Sequence, residues 1–197
     1  RGLPYDELTA RVCRPFLSGG ATEAAIGGLA RDAFSRFDHS AVAPLRQIGP
    51  DLWLLELFHG PTLSFKDYAL QLVGRLFDKV LAERGRRVTV IGATSGDTGS
   101  AAIEALKDRE RIEAFILHPK GRVSEVQRRQ MTTVAANNVH NIAVEGTFDD
   151  CQDLVKAMFN DARFRARADL TAVNSINWAR IMVQTAYYFA ATVALGA

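Results

Sequence analysis

From Gly85 onward the chain alternates between short apolar runs and longer segments with helical spacing. No other feature restricts the fold as much. Residues 88–92 read as a strand and 100–109 as a helix, then 114–117 and 124–134, 141–144 and 149–161, and 170–173 followed by a helix from Trp178. Strands separated by helices of this length need crossover connections. The expected class is therefore α/β, with parallel strands covered by helices on both faces. In such sheets ligands bind beyond the carboxyl ends of the strands. Four segments arrive there, 93–99, 118–122, 145–148 and 174–177, each containing Gly, Ser, Thr or Asn.

Upstream the pattern differs. Residues 3–50 read as helical: Tyr5, Leu8, Val12 and Phe16 recur at helical steps before a Ser18-Gly19-Gly20 break, and Ile26, Leu29, Ala33 and Phe37 follow. Residues 52–57 then form a strand that ends in the turn His59-Gly60-Pro61. An amphipathic helix follows, with Phe65, Ala69, Leu72, Val73, Leu76, Phe77, Val80 and Leu81 in its stripe. Arg84 and Gly85 close it as a basic last turn and a C′ glycine. Residues 181–197 carry no charge, fall at the short limit for a membrane span and read as a buried helix.

Composition narrows the partners. The 197 residues carry 24 Lys+Arg against 22 Asp+Glu, a net +2, which is too weak a charge to suggest a nucleic-acid or membrane partner. Cys13 and Cys151 are the only cysteines and form no CxxC, which fits a reducing compartment. His39, His59, His118 and His140 show no HxH or HExxH spacing, so no metal site is expected; only His59 falls near the candidate site. Residues 1–6 do not read as a secretory leader. The expected partner is a small molecule.

Three segments could carry chemistry. In Gly92-Ala-Thr-Ser-Gly-Asp-Thr-Gly99, glycines allow a ligand close to the backbone, a helix N-terminus favours an anion, and Thr94, Ser95 and Thr98 offer hydroxyls. No GK[ST] follows, and the spacing is not that of a Rossmann fingerprint. A tight capped turn would account for the same residues. In Ser64-Phe-Lys-Asp67, Ser64 is the expected N-cap with Asp67 at N3, which places Lys66 in the first helical turn. A cation there opposes the helix dipole, and that favours the neutral, nucleophilic amine. A solvated lysine at a helix start is the alternative. In Asn174-Ser-Ile-Asn-Trp-Ala-Arg180, capping accounts for Asn174 or Ser175, while Asn177 and Arg180 share a face suited to a second anion. A surface arginine accounts for Arg180 equally.

The longer strings carry a resemblance. Leu55-Glu-Leu-Phe-His-Gly-Pro-Thr-Leu-Ser-Phe-Lys-Asp67, the 92–102 loop and Gln127-Arg-Arg-Gln-Met-Thr-Thr133 are similar, in order, to segments of the threonine synthase family. So are Glu145-Gly-Thr-Phe-Asp-Asp-Cys-Gln152 and Asn174–Arg180. These are pyridoxal-phosphate enzymes of the tryptophan-synthase-like fold (fold type II), and nearly the whole chain is covered. The resemblance implies that Lys66 forms a Schiff base with pyridoxal 5′-phosphate, with Phe65 and Asp97 also on the cofactor. It implies that Thr94, Ser95 and Thr98 bind substrate, with Asn177 and Arg180 on its phosphate. The implied reaction is that of a carbon–oxygen lyase acting on phosphate: O-phospho-L-homoserine and water give L-threonine and phosphate. Asp97 stands where many related enzymes carry Asn. A non-catalytic relative that binds a phosphorylated ligand is the alternative.

The implied organisation is an N-terminal helical region (1–50), part of a large cofactor domain (51–85 with 178–197) and a smaller mobile domain (86–177). Family members are longer, so the chain is expected to be incomplete. The cofactor-phosphate cradle is expected beyond Ala197, and residues are expected to be missing between Gly2 and Leu3. A cytoplasmic monomer or homodimer is expected.

Overall fold

A computed structural model describes residues 2–17, 20–172 and 177–196. The chain forms two compact units, residues 1–76 with 176–197, and residues 77–175.

The first unit holds helices α1 (Tyr5–Cys13), α2 (Gly20–Phe34) and α8 (Trp178–Leu195), and the antiparallel strands β1 (Leu45–Gly49) and β2 (Leu52–Leu55). It also holds the start of α3 (Asp67–Glu83). Its core is strongly aromatic. Tyr5 meets Phe34 edge-on at 4.9 Å, and Phe37 meets Tyr68 at 4.8 Å, around fully buried Ile26, Leu72 and Val183. The Tyr68 hydroxyl donates to the Val42 carbonyl at 2.5 Å. Arg75 Nε, on α3, donates to Asp32 on α2 at 2.5 Å.

The N-terminal region is not helical throughout. Leu45–Gly49 is a strand that pairs with Leu52–Leu55. Pro44 and Pro50 bracket it and bar a helix from continuing through either position. The expected break at Ser18 and Gly19 lies outside the described residues. The C-terminal helix is buried on one face only. Met182, Val183, Ala186 and Tyr187 are enclosed, whereas Trp178, Ile181, Tyr188, Phe189 and Leu195 are exposed. The uncharged stretch from Ile181 thus covers two faces, of which one meets the aromatic core. No described helix is long and apolar enough to cross a membrane.

The second unit is a four-stranded parallel sheet in the order β5-β4-β3-β6. Its strands are β3 (Val88–Ala93), β4 (Ile112–Pro119), β5 (Val139–Val144) and β6 (Leu170–Ala172), and its helices are α4 (Asp97–Leu106), α5 (Glu125–Thr132), α6 (Phe148–Asn160) and α7 (Ala162–Arg167). Strand residues alternate between two cores, as the period of two requires. Val88, Val90, Ile112 and Ala114 pack with Leu106 of α4 and Leu81. Ile91 and Leu117 pack on the other side with Cys151, Val155 and Met158 of α6.

The start of the sheet is set by a helix stop. Gly85, at φ 60°, donates to the Ala82 carbonyl, and Arg86 to that of Leu81, which is the Schellman arrangement expected of a C′ glycine. The chain runs from β3 outward through β4 to β5, then returns to place β6 on the other side of β3. Strand order therefore reverses at β3, and the carboxyl end of β3 is where such a sheet opens a crevice. The segment that leaves it is Thr94–Gly99.

Candidate active site

The candidate residues fall into two groups, one in each unit. In the first, Lys66 is held by a tightly determined turn. Leu63 N–H donates to the Gly60 carbonyl at 3.0 Å, closing a turn through Pro61. Asp67, fully buried, accepts from the Thr62 backbone N–H and hydroxyl, each at 2.7 Å. A Cβ on Gly60 would lie 2.5 Å from the Asp67 Cβ, so only glycine lets the turn close on this carboxylate. Leu63 has φ 60°, a region a leucine adopts only when its surroundings impose it.

This arrangement corrects two expectations. Asp67 is the first helical residue and not N3, and its carboxylate fastens the preceding turn, because Thr62 presents two donors to it. Lys66 is not inside the first turn but at the N-cap. Its carbonyl accepts the first helical bond, from Leu70, at 3.0 Å, and its own N–H reaches Ser64 Oγ at 3.3 Å. The side chain is half-buried, with Nζ 4.5 Å from the Phe65 ring centroid. The Arg180 guanidinium approaches the same ring, its Cζ 6.0 Å from the centroid. Two cations thus share one aromatic ring.

Arg180 is 5% exposed, and its Nε and Nη1 have no hydrogen-bond partner. A buried guanidinium with unused donors is costly to leave so. Burial presses its pKa down, and nearby Tyr187 pulls it the other way. It is therefore not a surface arginine. Asn177 is exposed and is itself the cap of α8: its side-chain oxygen accepts from the Ala179 N–H at 2.9 Å. Capping accounts for Asn177 after all. The caps expected at Asn174 and Ser175 lie outside the described residues.

His59 begins the same turn. Its ring nitrogens sit 2.9 Å from Asp38 Oδ1 and 2.9 Å from Glu56 Oε2. Two carboxylate partners call for two N–H donors, hence the imidazolium. Glu56 first and then Asp38 raise the His59 pKa above 6.5, against some desolvation. The resulting stability is full below pH 6.5 and is lost as pH rises through the raised folded value. His59→Gln should therefore flatten the decline in Tm between about pH 6 and pH 9. An unchanged slope would show that the ring titrates alike in the folded and unfolded chain. Asp38 is largely exposed, so added salt should weaken its arm before that of enclosed Glu56.

In the second unit, the Thr94–Gly99 segment joins β3 to α4. Thr94 is buried, and its Oγ1 accepts from the Gly96 N–H at 3.0 Å and the Gly99 N–H at 2.8 Å. It was expected to contact substrate; instead its hydroxyl is consumed in shaping the loop. Ser95 and Asp97 are exposed and Thr98 is half-buried, and Asp97 and Thr98 open the first turn of α4. Their hydroxyls and carboxylate, with the N–H groups of that turn, form a polar rim at the carboxyl end of β3.

Sequence reasoning missed Gln127 as a site residue. Its Nε2 donates to Asp97 Oδ1 at 2.5 Å. In the sequence, Gln127 stands out only as part of the Gln127–Thr133 string that carries the resemblance. Among the described residues no cluster of His, Cys, Asp or Glu could hold a metal ion.

Residues 39–196 match the model of a family described as "Pyridoxal-phosphate dependent enzyme". Over 100% of its length the chain is 60% identical to threonine synthase of Pseudomonas aeruginosa and covers 42% of that protein. Its identity to threonine synthase of Saccharomyces cerevisiae is 44%, covering 95% of this chain and 39% of that one. The solved structure of pyridoxal-phosphate-bound threonine synthase from Brucella melitensis superposes with a TM-score of 0.97 at 54% identity, covering 100% of this chain and 42% of that one. The chain spans about two fifths of the length of these relatives. Every candidate residue above lies inside the matched region, and the fold is that of the fold type II enzymes. The chain belongs to the pyridoxal-phosphate dependent enzyme family.

Proposed function

We propose that the protein, at the length of its relatives, converts O-phospho-L-homoserine and water to L-threonine and phosphate, with pyridoxal 5′-phosphate held at Lys66. Support comes from threonine synthases that are 60% and 44% identical over nearly the whole chain. The observation that carries the reading is Arg180, buried with two unsatisfied nitrogens on the ring that also faces Lys66 Nζ. Orphaned donors beside an amine suit a phosphorylated ligand whose other end reacts with that amine. The residues present therefore fit the cofactor and a phosphorylated substrate.

When bound, the cofactor supplies an electron sink for the negative charge that develops on substrate carbon. The chain's own residues do the rest. Lys66 Nζ is the point of attachment, and it takes and returns the proton at the substrate α-carbon. Phe65 gives that amine an aromatic face, and Asp97 would help to hold the cofactor. Ser95 and Thr98 donate hydroxyl hydrogens to the substrate carboxylate, with Thr94 holding their loop in shape. Arg180 binds the departing phosphate with its planar fork, and Asn177 offers the amide hydrogens that its capping oxygen leaves unused. We assign the enzyme to the cytoplasm.

Borohydride reduction of the protein mixed with pyridoxal phosphate tests this. Mass spectra should place the reduced adduct on the peptide that contains Lys66, and phosphate release from O-phospho-L-homoserine should yield threonine stoichiometrically. An adduct on any other lysine, or phosphate release without threonine, would refute the assignment.

A further inference from the structure

Gln127 stands under the loop that carries Asp97. A Cβ on Gly96 would lie 2.3 Å from the Gln127 Cδ, and Gly96 adopts φ 146°, so the backbone is drawn across the face of this amide. Both ends of the amide are engaged. Ser124, the N-cap of α5, accepts from the Gln127 backbone N–H at 3.3 Å and donates its hydroxyl to Gln127 Oε1 at 2.8 Å. That bond fixes the oxygen end, so Nε2 is turned toward Asp97 and donates to Oδ1 at 2.5 Å. The relay thus runs from a helix cap, through one side chain, to a carboxylate thirty residues away in sequence.

We infer that Gln127 is a positioning residue: it fixes the direction of the Asp97 carboxylate and so the hold that Asp97 would have on the cofactor. The inference rests on the assignment of Asp97 to the cofactor made above. An exposed hydrogen bond contributes little to stability, so its value lies in direction. Rotation of Asp97 about χ1 would carry the carboxylate away from the rim, and a small misplacement of a reacting group is costly in rate.

The test uses the protein at the full length of its relatives. Gln127→Glu is isosteric; it keeps the acceptor for Ser124 but sets a second carboxylate against Asp97. In protein freed of cofactor, its Tm should fall more than that of the unsubstituted protein between pH 5 and pH 8. The facing carboxylates raise a folded-state pKa, and stability so gained is lost as pH rises. Asp97→Asn combined with Gln127→Glu restores a donor–acceptor pair and should remove that pH dependence.

With pyridoxal phosphate bound, Gln127→Glu should shift the visible absorption maximum and lower kcat about tenfold, with KM changed less than about threefold. The double variant should recover to the level of Asp97→Asn alone. Should Gln127→Glu fail to fold, Gln127→Met carries the same test, and its spectrum and kcat must change together. A normal cofactor spectrum and kcat unmoved by either substitution overturn this inference alone. An unsubstituted protein that never acquires the cofactor spectrum overturns the functional reading and this inference with it.

Discussion

Replacing Lys66 by Ala should abolish the visible absorbance of the protein mixed with pyridoxal phosphate and lower phosphate release by at least about 10³-fold. Proton transfer by a positioned base accounts for roughly 10²–10⁴ in rate, and loss of covalent attachment adds to it. The helix start should survive the change. The N-cap function of Lys66 is performed by backbone atoms, since its carbonyl accepts from Leu70 and its N–H donates to Ser64, and both survive in alanine. The contact of Nζ with the half-exposed Phe65 ring is worth about 0.5–1 kcal/mol. Lys66→Arg separates charge from chemistry. It keeps a cation over Phe65 but has no amine able to condense with an aldehyde, so it should be as inactive as Lys66→Ala. Substantial turnover by either variant would remove Lys66 from the reaction.

The parallel sheet was largely legible because its signals are periodic. Val88, Val90, Ile112 and Ala114 lie in one core and Ile91 and Leu117 in the other, a period of two that short apolar runs reveal without a partner sequence. The stop at Gly85 was legible for a related reason, since a left-handed C′ position selects glycine locally. Of the β1–β2 hairpin, the second strand was legible as the apolar run at residues 52–57 and the first was hidden. β1 is five residues long and largely exposed, so it carries no inward–outward alternation, and only the flanking prolines argued against a helix.

The site was legible in its residue types and less so in its contacts. Glycine, hydroxyl and lysine positions can be read along the chain, but a side chain's choice of partner is settled in three dimensions. Asp67 had two donor sets within reach of its backbone, at Ser64 and at Thr62, and the turn at Gly60 decides for Thr62. Thr94 and Ser95 look alike as loop hydroxyls; only the path of the chain buries the first and exposes the second. The Gln127 contact crosses thirty residues, and no spacing rule reaches that far. Arg180 and Asn177, joined by spacing, differ: one is buried with Nε and Nη1 unsatisfied, the other is an exposed cap.

That difference gives Arg180 the second large effect, and one with opposite signs in two assays. Arg180→Met should lower kcat/KM by roughly 10²-fold, because losing charge-assisted bonds to a phosphate costs about 3 kcal/mol. The same change should raise the stability of the cofactor-free protein by about 1–3 kcal/mol, seen as a higher Tm, since an uncompensated charge leaves the interior. Methionine fills the stem volume and places a thioether near Phe65, so the cavity left behind is small. Added inorganic phosphate should stabilise the unsubstituted protein toward the value of the variant and leave Arg180→Met unmoved. A structural arginine would behave otherwise: Arg180→Met would lower Tm and phosphate would act on both proteins alike. That outcome would mean that Nε and Nη1 serve the fold and not a ligand. The predicted pairing of lost activity with gained stability is the mark of a group kept in the interior for the anion it binds.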